Sequence, residues 1–154
     1  MELGTTIIGG ILVLVCIIPI VIVSNNRKKK DKLTLKALYD FAENESCKIG
    51  YHDIWLNAAI GIDKDNKTLF FLKGNHKEHY IKKVDLEEIR ACNVLPLDGM
   101  DKAERIEKLE LALFPQTKSE PAILLEFYSA DVSMQLADEL MIARKWDKLI
   151  NQMV

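Results

Sequence analysis

Apolar and polar positions divide the chain into three textures. Residues 3–26 contain no Asp, Glu, Lys, Arg or His, and thirteen Ile, Leu and Val residues fall between Ile7 and Val23. A basic knot, "RKKKDK", occupies residues 27–32. Behind it, "KLTLKALYDFAENE" predicts a short amphipathic helix, with Leu35, Leu38, Tyr39, Phe41 and Ala42 on one arc and Lys36, Asp40, Glu43 and Asn44 opposite. From Cys47 onward the period shortens. "CKIGYHDIW", "AIGID", "TLFFLKG", "HYIKKVDL", "IRACNVLPL", "KLELALF" and "AILLEFYS" are seven candidate strands, the second and third joined through the turn "KDNK". In the sixth, Leu109, Leu111 and Leu113 alternate against Lys108 and Glu110; in the seventh, Ile123, Leu125 and Phe127 face one way. The closing stretch, "DVSMQLADELMIARKWDKLINQMV", reads as one long helix. Leu136, Leu140, Ala143, Trp146, Ile150 and Met153 recur there at helical spacing, with Asp131 or Ser133 as N-cap.

The first texture fits a membrane span. A hydrocarbon core of about 30 Å needs about 20 helical residues. Each Ile, Leu or Val contributes roughly −0.3 to −0.6 kcal/mol to insertion, and no charge opposes them. Gly9, Gly10 and Pro19 are tolerated in lipid, where freed backbone groups find local partners. A soluble core helix would carry a polar stripe. A cleaved signal would begin with positive charge and end in small residues, whereas this chain begins "MELGTT" and leaves the run through "VIVSNN". Val13, Leu14 and Val15 before Cys16 do not make a lipoprotein signal. Arg27, Lys28, Lys29, Lys30 and Lys32 are then membrane-orienting residues, which place the N-terminus outside and everything from Arg27 in the cytoplasm. Thr5 with Gly9 and Thr6 with Gly10 form small-xxx-small pairs through which the span can self-associate as a homo-oligomer.

Charge is unevenly shared. Five of the 21 Lys and Arg residues but only two of the 23 Asp and Glu residues lie in residues 1–32, which leaves 33–154 with a net charge of −5. That acidic balance argues against generic nucleic-acid binding, which needs a concentrated basic surface. Only Cys47 and Cys92 lie beyond the span. A reducing cytoplasm keeps both as thiols, and they read as small buried hydrophobes; in an oxidising compartment they would be the one available disulfide pair.

Seven antiparallel strands followed by an amphipathic C-terminal helix resemble the pleckstrin-homology-like barrel, in which the helix plugs one open end of a bent sheet. "AIGIDKDNKTLFF" is similar to membrane-tethered bacterial domains of this kind that carry no assigned activity. The resemblance covers roughly residues 47–152; with the apolar stretch before it the expectation is an α+β chain: a transmembrane anchor at 1–26, a basic juxtamembrane segment and short helix at 27–46, and a mostly antiparallel barrel with its helix at 47–154. Phosphoinositide-binding members rely on a basic first hairpin. Here "KDNK" supplies only Lys64 and Lys67 beside Asp63 and Asp65, so that specificity does not carry over.

Candidate chemistry is sparse. No G-x-S-x-G, H-E-x-x-H, Walker A or Rossmann fingerprint occurs. His76 and His79 flank Glu78 at a spacing that sends strand side chains to opposite faces, and His52 and Asp53 are adjacent, with the same consequence. No catalytic residue, metal ligand or cofactor is assigned. The reading is a membrane-anchored cytoplasmic scaffold whose partners are the bilayer and a membrane-associated protein; the alternative is a small metal-dependent or hydrolytic accessory enzyme using His52, Asp53, His76 and His79. One basic stretch interrupts the acidic domain between Lys64 and Lys83. Within it Lys73, Lys77, Lys82 and Lys83 are expected to form a lipid-facing edge, each Lys near an anionic leaflet being worth about 1 kcal/mol.

Overall fold

The computed structural model describes residues 2–75, 78–95, 106–133, 136 and 138–154, with side chains from residue 7 onward and outside 75–79. Its first element is one helix, α1, Glu2–Asn44, 43 residues long. The division expected at residue 26 has no counterpart in the backbone. A change from apolar to charged side chains marks a change of solvent, not a break in hydrogen bonding. Residues 27–44 contain neither Gly nor Pro and are rich in Lys, Leu and Ala, all strong helix formers. The predicted short helix is therefore the last stretch of α1. The helix stops where the amides of Ser46 and Cys47 donate back to Glu43 and Ala42 at 3.0 and 2.9 Å, with Ser46 at φ 58°. This is a Schellman stop with Ser in the place usually taken by Gly.

Strands β1 (Tyr51–Trp55), β2 (Ala58–Asp63), β3 (Thr68–Asn75) and β4 (Glu78–Asp85) form one antiparallel sheet in sequential order. After a 3-10 turn at Leu86–Glu88, β5 (Ile89–Leu95), β6 (Lys108–Pro115) and β7 (Ile123–Ser129) form a second. The expected strands are present. The continuous barrel is not: the described residues make two separate antiparallel sheets. They are pinned where β1 and β3 meet β7. Trp55 Nε1 donates to the Phe127 carbonyl at 3.0 Å, the two rings stack at 4.4 Å, and Lys73 pairs with Glu126.

Two apolar layers result. The main core lies between the inner faces of the sheets and is built from Ile60, Ile62, Phe71, Leu109, Leu111, Leu125, Phe127 and Trp146, among others. A second layer lies on the outer face of the first sheet, where Leu38 and Ala42 of α1 meet Ile49, Ala59, Phe70 and Leu72. β2 is consequently buried along its whole length instead of alternating. Gly61 makes the approach possible: a Cβ there would stand 3.0 Å from Ile49 and 3.2 Å from Leu38.

The C-terminal helix, α2, is shorter than its periodicity predicts, Glu139–Asn151, and packs on β5, β6 and β7. The proposed caps are used otherwise. After β7 the amides of Val132 and Ser133 both donate to the Ser129 carbonyl at 3.1 Å, and Tyr128 Oη donates to the Ser133 carbonyl at 2.9 Å. This turn ties the chain to β7 before the helix starts. Asp138 takes the N-cap place without a side-chain bond. At the other end Asn151 pairs with both backbone groups of Cys92, at 2.9 and 2.8 Å, closing the free edge of β5. Cys92 is fully buried, its pKa pushed up by burial and by Asp147; Cys47 belongs to the outer layer, and all three cysteines are free thiols.

The β2–β3 turn is held by Asp63, which accepts hydrogen bonds from the amides of Lys48, Asp65 and Asn66 and from the Asn66 side chain at 2.7–3.1 Å. Burial works to raise the Asp63 pKa, but these donors outweigh it and hold the carboxyl below its ordinary value. A carboxyl more acidic folded than unfolded stabilises the fold above its unfolded pKa and loses that contribution as pH falls through the folded one. Acid unfolding of Asp63→Asn should accordingly show a flatter loss of stability below about pH 4 than the parent chain. Parallel acid limbs would show that Asp63 does not contribute.

Candidate binding groove

β1 separates the two residues of the notional His52–Asp53 pair. His52 faces outward, where its Nδ1 lies 2.9 Å from Tyr39 Oη of α1 and the rings meet edge-on at 5.5 Å. Asp53 faces α2, accepting from Trp146 Nε1 at 2.8 Å and Lys145 Nζ at 2.8–3.0 Å. Each residue thus fastens the first sheet to a different helix. His76 lies outside the described residues, as does the side chain of His79. Among the described residues no three His, Cys, Asp or Glu side chains converge on a point that would hold a metal.

The lysines expected to share a lipid-facing edge are divided. Lys73 pairs across the inter-sheet gap with Glu126. Burial tends to raise the Glu126 pKa, but Lys73 and Lys108 prevail and hold it low. Lys82 and Lys83 are neighbours on β4 and so point to opposite faces. Lys82 sits 5.7 Å from the Tyr80 ring, whereas Lys83 pairs with Glu45 at 2.7 Å, just past the end of α1. Lys77 lies outside the described residues. Arg27, Lys28, Lys29, Lys30 and Lys32 are exposed on α1 between its apolar stretch and Thr34, the first buried residue of the helix from Ile7 onward.

A concave surface does occur elsewhere, along α2. The groove, about 760 Å³, runs between that helix, Tyr51 of β1 and Lys64 of the β2–β3 turn. Leu140, Met141, Arg144, Lys145, Lys148, Leu149 and Gln152 line it from the helix side, and no carboxylate among the described residues does. Lys145 is held at one wall by Asp53 and lies 4.9 Å over the Tyr51 ring; the Asp53 and Tyr51 hydrogen bonds raise its pKa, so it stays charged. Lys64, Lys148 and Met141 are exposed. No family model, curated protein or solved structure matches the chain. The groove therefore has to be read from its own chemistry: apolar Leu140, Met141 and Leu149 beside the cationic Lys64, Arg144, Lys145 and Lys148, with an open side to solvent.

Sequence reasoning missed this surface because it read α2 through its buried face. The signal was present in Met141, Arg144, Lys145 and Lys148, which share the opposite face at helical spacing. Nor did it find Asp53 as a fastener of α2, since a carboxylate two residues before Trp55 carries no sign of a partner 93 positions away.

Proposed function

We propose that the chain is a single-pass, membrane-anchored module with a pleckstrin-homology-like cytoplasmic domain that recruits a protein partner to the membrane. The observation that carries this reading is the continuity of α1. Its apolar stretch is long enough to cross a bilayer, and its described residues are all exposed, unlike those of a core helix. The same helix then docks on the outer face of the first sheet without a joint. From Asn26 to Thr34 the axis advances only about 12 Å. Anchor and domain thus act as one strut, with residues 27–32 at headgroup level, where their positive charge favours the cytoplasmic side. Four strands, three strands and a terminal helix, in that order, support the fold assignment.

Lys83 is left out of any lipid-facing edge. Lys83, at Glu45, is about 28 Å along α1 from Asn26, several times the ~8 Å Debye length over which an anionic leaflet attracts.

The test is affinity purification of the full chain from crosslinked, detergent-solubilised membranes. Recovery of the same membrane-associated protein in repeated preparations, absent when residues 47–154 are deleted, is the expected outcome. Recovery of the chain alone would contradict recruitment.

A further inference from the structure

We propose that the groove along α2 takes an acidic peptide segment that also carries apolar side chains. The inference rests on the recruitment reading above and names the chemistry of what is recruited. Length argues first. The lining residues on α2 and its C-cap run from Leu140 to Gln152, about 18 Å along the helix axis, which suits five or six extended residues at about 3.3 Å each and exceeds a compact anion.

Chemistry varies along that length. Leu140 and Met141 make one end apolar, and Met141 is 66% exposed; a methionine adapts to differently shaped apolar side chains. Lys64 of the β2–β3 turn and Lys148 of α2 both line the groove, and no carboxylate among the described residues does. Lys145 is occupied in holding Asp53 to α2 and serves the fold. Because residues 33–154 carry −5 overall, an acidic segment is repelled by most of this domain and attracted here, which selects position as well as charge. A flat bilayer surface cannot follow the groove to its floor.

The test uses the full chain in nanodiscs of zwitterionic lipid, with a fluorescein-labelled peptide of alternating Glu and Leu as probe, a Lys–Leu peptide of equal length as control, and empty nanodiscs to correct for partitioning. Fluorescence anisotropy should report saturable, salt-sensitive binding of the Glu–Leu peptide only. Lys64→Glu with Lys148→Glu should weaken it about tenfold or more, and Met141→Asp should weaken it as well. Since these three side chains are exposed, the variants should melt with the parent chain. Equal binding of both peptides, or binding indifferent to the charge reversals, would overturn the proposal. Binding of inositol hexakisphosphate or anionic vesicles that depends on Lys64 and Lys148, with no binding of the peptide, would overturn it in favour of a phosphate-bearing ligand. Recruitment itself is separable. If the doubly reversed chain still recovers the same partner from crosslinked membranes as the parent does, the groove proposal falls and recruitment stands.

Discussion

Replacing Trp146 by Ala is expected to destabilise the chain by about 3 to 5 kcal/mol, measured by chemical denaturation of the full protein in detergent. Trp146 is completely buried and is the largest fully buried side chain in the main core. Its ring lies 5.5 Å from Tyr51, and its Nε1 donates to Asp53. Truncation removes the packing that seats α2 on the sheets and leaves a cavity that surrounding strands can close only in part. It also takes one of two donors from a carboxylate that would retain Lys145. Trp146→Phe separates the contributions: it keeps most of the buried ring and loses the hydrogen bond to the Asp53 carboxylate, at about 1.5 to 3 kcal/mol, plus a packing adjustment. An unfolding midpoint unchanged in Trp146→Ala would mean that α2 is not seated as described.

Leu38→Ala is expected to cost about 2 to 5 kcal/mol, and its effect should fall first on a different surface. Leu38 is fully exposed to neither water nor lipid: it is buried at the outer face of the first sheet beside Ile49, Gly61 and Phe70. Its loss should loosen α1 from β2 and β3 before the main core opens. Hydrogen exchange at Ala59 and Phe70 should accelerate more than at Leu111 or Leu125, which lie in the core between the sheets. Charge placed there, as in Leu38→Asp, should free this part of α1 from the domain. Uniform acceleration throughout both sheets, or none, would contradict docking as a separate layer.

The strands were legible because water and core impose a period of two on half-buried ladders: Leu109, Leu111 and Leu113 on β6, or Leu125 and Phe127 on β7, can be placed from spacing alone. The amphipathic face of residues 33–44 was legible for the same reason at helical period, and Leu38 and Ala42 are its buried members. Continuity of α1 was not legible, since side-chain polarity changes at Arg27 while the backbone does not. The onset of α2 was hidden because helical spacing from Leu136 onward is indifferent to the Ser129 turn that delays the helix. Closure is also invisible to periodicity. Alternation assigns each strand a buried face but not its neighbour, so seven strands were compatible with one bent sheet as readily as with the observed four and three. The groove draws Lys64 and Lys148 from 84 positions apart in the sequence, a distance over which no local pattern speaks.

C-terminal reporter fusion tests most directly the proposal that the span is followed by a cytoplasmic domain. A reporter active only in the cytoplasm, fused after Val154, should be active and should sediment with membranes, while one active only outside should be silent; reversing Lys28, Lys29 and Lys30 to Glu should mix the two signals. Activity of the outside reporter in the unaltered chain, or recovery of either reporter in the soluble fraction, would contradict it.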